Sequence, residues 1–137
     1  MAVVEELLRS ESDGAISFGN HKLSNKQKVE DFRHAGDLLK VKTYNEITKL
    51  EKNGMFLYES VPGTSVLHFQ ENEAGVEFVV EGDEDAQITI GLTDDTEYEV
   101  FVDGKSIGTM KTGLGGKLSL SVELEAAGEV IVKIVQV

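Results

Sequence analysis

Cysteine is absent from this sequence, which excludes disulfide bonds, thiolate catalysis and thiolate metal sites. Tryptophan is absent as well, and Pro62 is the single proline. Basic residues are few, because 13 Lys and Arg stand against 25 Asp and Glu for a formal net charge of −12. This charge repels the phosphates of nucleic acids and of anionic lipid surfaces, so we expect neither as a partner. No apolar run approaches the roughly 20 residues of a membrane-spanning helix.

The chain of 137 residues is long enough for one domain with an ordinary hydrophobic core. Hydrophobic residues make up 40% of it and charged residues 28%, which is a globular balance. The N-terminal stretch Met1–Arg9 has no basic start, no sustained apolar region and no small-residue cleavage site, unlike a secretory signal. We therefore expect a cytoplasmic protein by default, although a secreted chain whose leader has been removed would look the same.

From Val61 onward, apolar side chains alternate with polar ones in short runs separated by turn residues, the period of half-buried strands. Asp103-Gly104 lies between two such runs and is typical of a tight hairpin. A bulge is predicted near Gly108, because the apolar residues around it are out of phase. Seven strands result, the number and spacing of an immunoglobulin-like sandwich, with a jelly-roll-like one as the alternative. The predicted core includes Ile88, Val100, Leu118, Leu120 and Val122.

The first 60 residues are less regular but predict two hairpins. Glu6–Ser10 and Ala15–Phe18 form one, and Val29–His34 and Leu38–Thr43 form the other. Pro62 begins a Pro-Gly turn and is the best boundary between an N-terminal region, 1–60, and a seven-stranded β-sandwich, 61–137. A single continuous domain is the alternative.

Residues 44–53 permit two interpretations. Thr43–Glu46 matches a helix capping box, and Asn53-Gly54 is a usual helix end, so we expect one short helix there. The competing interpretation is a hairpin in which Ile47–Lys52 turns at Asn53-Gly54 into Met55–Ser60. The overall prediction is a mainly antiparallel β protein with N-terminal hairpins and one short helix.

Two C-terminal stretches, Thr96–Gly104 and Gly116–Val122, read T-x-Y-x-V-x-V-D-G and G-K-L-x-L-x-V. They resemble the β-sandwich modules appended to many bacterial glycoside hydrolases and polysaccharide lyases. The resemblance implies a sandwich without catalysis, and it motivates carbohydrate binding as one possible role.

The whole chain, and Thr43–Thr64 above all, is similar to a family of short uncharacterised proteins from anaerobic bacteria that often carry an endosialidase label. Sialidases of the propeller type share an arginine triad, a Tyr nucleophile and boxes that contain Trp. This chain has only Arg9 and Arg33 and no Trp, so we expect no enzyme and no cofactor. Glycoside hydrolysis ranks third among the functions considered.

Carboxylates at Asp83 and Asp85, with neighbouring backbone carbonyls, are candidate calcium ligands, although the EF-hand spacing is missing. His21, His34 and His68 are scattered without the spacing of a zinc site, and surface or strand-face positions are expected for them. No other metal site is predicted.

The leading prediction is a non-catalytic interaction or assembly module that binds itself or another protein. Met55–Tyr58 is apolar on both alternating faces, so one face needs cover from within the chain or from a partner. The end of the last strand, at Val135 and Val137, is a candidate edge for strand pairing. The candidate interface residues are Leu38, Leu39, Met55, Phe56, Leu57 and Tyr58.

Carbohydrate binding is the alternative, because sugars stack on exposed aromatic rings. Tyr98 alternates with core residues and is expected to be buried. The remaining tyrosines, Tyr44 and Tyr58, are the ligand-binding candidates, and His68 is a third.

Overall fold

A computed structural model describes residues 3–137, and its regular structure is all β, with 61% of residues in strands and no helix within that range. Met1 and Ala2 of the stretch assessed as a leader lie outside the described residues. Thirteen strands follow one another in the described part of the chain: β1 (Leu8–Ser10), β2 (Ile16–Phe18), β3 (Gln27–His34), β4 (Asp37–Tyr44), β5 (Ile47–Lys52), β6 (Met55–Val61), β7 (Ser65–Asn72), β8 (Gly75–Glu81), β9 (Ala86–Gly91), β10 (Glu97–Val102), β11 (Lys105–Lys111), β12 (Lys117–Val122) and β13 (Val130–Gln136). Since the described residues hold no helix, they contain none long and apolar enough to cross a membrane.

The strands form two antiparallel sheets. The seven-stranded sheet has the order β1-β2-β7-β8-β13-β10-β11, and the six-stranded sheet has the order β12-β9-β6-β5-β4-β3. Buried side chains of both sheets form one hydrophobic cluster. Alternating strand residues supply this cluster because a strand turns every second side chain to the same face. The arrangement is compatible with a β-sandwich.

The strands predicted after Val61 are confirmed as β7–β13. Asp103 and Gly104 both have positive φ, at 51° and 81°, as the predicted hairpin turn requires. The predicted bulge is confirmed, because Val100 pairs with Gly108 and Phe101 with Ser106, which leaves one extra residue in β11. All five predicted core residues are buried: Ile88, Val100, Leu118, Leu120 and Val122.

In the N-terminal half, both predicted hairpins are confirmed as the pairs β1–β2 and β3–β4. The short helix near 44–53 is wrong, and the competing hairpin is the structure that forms, because β5 pairs with both β4 and β6. Thr43 does not cap a helix. Its buried hydroxyl accepts a hydrogen bond from the amide of Asn20 and contacts the hydroxyl of Thr48, so a contact distant in sequence overrides the local signal.

Strands from the two halves of the chain pair with each other. β6 runs through residue 60, and the pairs β2–β7 and β6–β9 join residues on either side of it. Each sheet therefore contains strands from both sides of residue 60. The predicted edge at Val135 is wrong, because β13 lies inside its sheet between β8 and β10.

Candidate functional site

The apolar run Met55–Tyr58 contains a β-bulge. Leu50 of β5 pairs with Tyr58 while the following residue, Glu51, pairs with Phe56, so Leu57 is the extra residue in β6. Leu57 and Tyr58 are consequently both buried although they are neighbours in sequence. The bulge therefore accounts for the burial of Leu57 and Tyr58 without cover for a second strand face.

Phe56 occupies the opposite, outer face of the six-stranded sheet. The ammonium group of Lys117, which alternates with the buried Leu118, lies 4.6 Å from the centroid of the Phe56 ring. This distance is within the range of a cation–π contact. The ring is half-buried, and the ammonium group occupies part of one of its faces.

A cleft of about 330 Å³ opens between the two sheets beside the β5–β6 turn. We call it the hairpin cleft. Its wall on the six-stranded sheet comes from β6, the end of β9 and the loop before β12, and its other wall comes from the β7–β8 hairpin. The residues that line it include Met55, Phe56, Leu57, Leu92, Thr93 and Gly115 on the first side and Glu71, Asn72, Glu73 and Gly75 on the second.

One ion pair bridges the two walls of the hairpin cleft. The ammonium group of Lys52 donates a hydrogen bond of 2.8 Å to the carboxylate of Glu71. This hydrogen bond raises the pKa of Lys52. Both side chains are about one-third exposed, so the pair orders the cleft more than it stabilises the fold. Glu73 is exposed at the same wall and adds a second negative charge.

Two large apolar side chains are exposed at or next to the hairpin cleft. Met55 is 72% exposed, and Leu114, which precedes the cleft residue Gly115, is 93% exposed. Tyr98 lies at the cleft floor and is buried as predicted, and its hydroxyl oxygen accepts a hydrogen bond from the amide of Thr93. Met55 at the cleft and Leu114 next to it are therefore accessible to a partner, and the buried ring of Tyr98 closes the cleft floor.

The ligand-binding candidates occupy three different environments. Tyr44 is half-buried, with the ammonium group of Lys26 at 5.9 Å from its ring centroid. His68 is exposed, and its Nδ1 lies 3.4 Å from a carboxylate oxygen of Asp13. Tyr58 is fully buried among Phe18, Phe69 and Phe78, and burial raises its pKa. As a ligand-binding or interface residue Tyr58 is therefore wrong, because the described fold leaves its ring no free face.

The interface candidates divide between rim and core. The hairpin cleft brings together Met55, Phe56 and Leu57, although Leu57 is itself buried. Leu38 is exposed on β4, which β5 separates from β6, and its carbonyl oxygen accepts a hydrogen bond from the amide of Asn53. Leu39 is buried in the common core, so its candidacy as an interface residue is wrong.

The carboxylates of the two candidate calcium ligands, Asp83 and Asp85, accept hydrogen bonds from other groups of the protein. The carboxylate of Asp83 accepts a hydrogen bond of 2.6 Å from the ammonium group of Lys22, which lowers the pKa of Asp83. The carboxylate of Asp85 accepts hydrogen bonds from the amides of Leu124 and Glu125, just after β12. Within residues 3–137, no group of three acidic or histidine side chains is placed to hold a metal ion.

One polar cluster was missed from the sequence. Nδ1 of His21 lies 2.7 Å from the hydroxyl of Ser65, and Nε2 lies 3.7 Å from a carboxylate oxygen of Asp83. These residue types can form a catalytic triad, but the side chains of His21 and Ser65 are buried, out of reach of a substrate. Burial lowers the pKa of His21, which favours the neutral ring. The three residues are far apart in sequence, and no local motif predicts that they form a cluster.

No protein-family model, curated protein or solved structure matches this chain. The resemblances to glycosidase-associated modules and to proteins labelled endosialidase therefore stay predictions. A function has to be argued from the residues of the hairpin cleft.

Proposed function

We propose that this protein is a non-catalytic interaction module, a β-sandwich of immunoglobulin-like or jelly-roll-like topology that binds another protein at the hairpin cleft. The observation that carries the proposal is the exposure of Met55, 72%, at the mouth of a cleft whose wall also includes Phe56 and Leu92. Large apolar side chains exposed together are typical of protein contact sites. Methionine suits such sites because its flexible thioether adapts to different surfaces.

The size and charge of the hairpin cleft indicate what kind of partner it fits. A volume of about 330 Å³ is enough for one large apolar side chain of a partner, which would serve as the anchor of the contact. Glu71 and Glu73 make one wall acidic, although Lys52 already neutralises part of the charge. We expect the preferred polypeptide to place Lys or Arg next to an aromatic or aliphatic anchor.

Carbohydrate binding is the second candidate, and the half-buried ring of Phe56, on the outer face of the six-stranded sheet beside the cleft, favours it. The polar groups nearby support it less. The amide side chain of Asn53 already bonds to the amide of Leu38 and to the carboxylate of Asp37, and the side-chain oxygen of Asn72 accepts from the amides of Ala74 and Gly75. Few free hydrogen-bonding groups are left to orient a sugar. Glycoside hydrolysis ranks below both candidates.

Peptide selection tests the proposal. A displayed library of random peptides is selected on the wild-type protein, and the affinity of each selected peptide is then measured for wild type, Met55→Ser and Ile131→Ser. Ile131 is the matched control because it is an exposed apolar residue that does not line the hairpin cleft. We expect the selected peptides to contain an apolar anchor beside a basic residue and to bind Met55→Ser at least about tenfold more weakly, with Ile131→Ser unchanged.

Two other results would contradict the proposed protein-binding function. Peptides that bind Met55→Ser as well as wild type would remove the hairpin cleft from the proposal. A glycan array on which wild type binds and Phe56→Ala does not, together with a failed peptide selection, would establish the carbohydrate-binding alternative instead.

A further inference from the structure

Four of the described strands lie at sheet edges, and three of them carry features that obstruct further pairing. β1 has only three residues. β3 contains a bulge at which Asp31 has a φ of 55°, and its exposed residues are mostly charged. β11 contains the bulge beside Gly108 and has lysines at both ends. A strand from another molecule would find no regular template at these three edges.

The fourth edge strand, β12, is longer than β1 and has no bulge, and Lys117 at its start is its only charged residue. Its register with β9 is unbroken from Lys117 to Val122, and within residues 3–137 β9 is its only neighbour in the sheet. Its outward side chains after Lys117 are the small residues Ser119 and Ser121. A regular edge strand with small outward side chains is a template for strand addition.

The backbone of β12 has alternate residues free for such addition. The amide of Leu92 donates a hydrogen bond of 2.7 Å to the carbonyl oxygen of Gly116. In the antiparallel register, every second residue after Gly116 therefore turns its N–H and C=O groups towards β9. The residues between them, Lys117, Ser119 and Ser121, turn their N–H and C=O groups to the open edge.

The charges on β12 are complementary to a second copy of the same strand. In antiparallel pairing centred on Leu120, Lys117 faces the partner's Glu123, and Ser119 faces the partner's Ser121. This register uses the whole strand and sets no like charges opposite each other. In the free chain the ammonium group of Lys117 lies over Phe56, and because the side chain is exposed and flexible it can turn back towards the edge.

An exposed apolar side chain accompanies this edge. Ile107, the extra residue of the β11 bulge, is 47% exposed and lines a groove with Ser121 and Val122 of β12. A second copy docked along β12 would cover it and gain apolar burial in addition to the backbone hydrogen bonds.

From these observations we infer that β12 pairs antiparallel with β12 of a second copy, so that two six-stranded sheets become one continuous sheet across a two-fold axis. This dimer does not depend on the hairpin cleft. A standard interface involves roughly 20–30 residues a side, many more than one edge strand supplies, so we expect association in the micromolar range. The net charge of −12 opposes association at low salt, so the dimer is to be measured at physiological salt, where screening limits repulsion to about 8 Å.

Charge reversal tests the register. Sedimentation equilibrium over a dilution series should show a mass that rises from 15.0 kDa towards twice that value for wild type. Lys117→Glu and Glu123→Lys, made singly, each place like charges opposite each other and should weaken the dimer by about tenfold. The two changes together should restore it. A wild-type protein that stays monomeric, or a double variant as weak as the single ones, would overturn the inference.

A backbone test is independent of charge. Ser121→Pro removes an N–H group that points away from β9, so it should abolish the dimer while the unfolding midpoint shows a folded monomer. Ser121→Ala keeps this N–H group and should dimerise like wild type. Dimerisation of folded Ser121→Pro at wild-type strength would contradict β12 pairing, and the charge reversals decide the matter if that variant does not fold. Met55→Ser should leave the dimer unchanged, which separates this inference from the proposed function.

Discussion

The hydroxyl of Thr48 binds both backbone groups of Thr64. It donates a hydrogen bond of 2.7 Å to the Thr64 carbonyl oxygen and accepts one of 3.1 Å from the Thr64 amide. Thr48 belongs to β5 of the six-stranded sheet, and Thr64 immediately precedes β7 of the seven-stranded sheet. Both residues are fully buried, so this contact links the two sheets where water cannot substitute for it.

We predict that Thr48→Val lowers the free energy of unfolding by about 1–3 kcal/mol, because valine keeps the shape and leaves the buried amide of Thr64 without an acceptor. Urea unfolding measures the change. Thr89→Val is the control, since Thr89 bonds to Ser119 at an exposed position and its loss should cost under about 0.5 kcal/mol. Equal unfolding midpoints for the two variants would show that the link is not stabilising.

Leu120→Ala should lower the free energy of unfolding by about 2–5 kcal/mol, because it leaves a cavity in the common core. Ser121→Ala, on the outer face of the same strand, should change it by less than about 0.5 kcal/mol. A loss below about half a kcal/mol for Leu120→Ala would mean that the assigned face of β12 is wrong. Chemical denaturation of both variants gives the comparison.

Gly91→Ala should destabilise the fold by about 1–3 kcal/mol, because a Cβ there would collide with the carbonyl oxygen of Phe56 on the adjacent strand. Gly113→Ala is the matched control. A Cβ at Gly113 meets no atom within 4 Å, so that variant should be neutral or slightly more stable. Thermal unfolding distinguishes the two, and equal midpoints would argue against the close approach of β6 and β9.

Stability should fall as the pH is lowered below about 6.5, the ordinary pKa of histidine, because His21 binds a proton more readily in the unfolded chain. Burial holds the pKa of His21 below that value in the fold, so the unfolded state takes up more protons between the two pKa values. Unfolding free energies from pH 8 to pH 5 should therefore show a steeper loss for wild type than for His21→Gln. A slope unchanged in His21→Gln would refute the assignment.

Local periodicity predicted the C-terminal strands well because each exposes one face and buries the other. Lys117–Val122 is the clearest example, with Leu118, Leu120 and Val122 all inside. Prediction failed at residues 44–53, where a capping-box match outweighed alternation that is equally visible at Thr48 and Leu50. The decisive contact there, between Thr43 and Asn20, depends on a neighbour distant in sequence.

The candidate site was only half predictable for the same reason. Met55 and Phe56 stand out locally as an apolar run beyond an Asn-Gly turn. Glu71, Glu73 and Thr93 complete the hairpin cleft from other parts of the chain, and no local sequence pattern marks them. The bulge at Leu57 was also hidden, because alternation is read along one strand, whereas a bulge is defined by the neighbouring strand.

The position of β13 has a consequence for the order in which the chain folds. β3–β6 are consecutive neighbours in their sheet, so they can assemble as a series of local hairpins with little loss of loop entropy. β13 instead lies between β8 and β10, and the seven-stranded sheet cannot close until residues 130–136 reach the gap between them. During synthesis on the ribosome, the apolar faces of the early hairpins would therefore stay exposed until the rest of the chain is made.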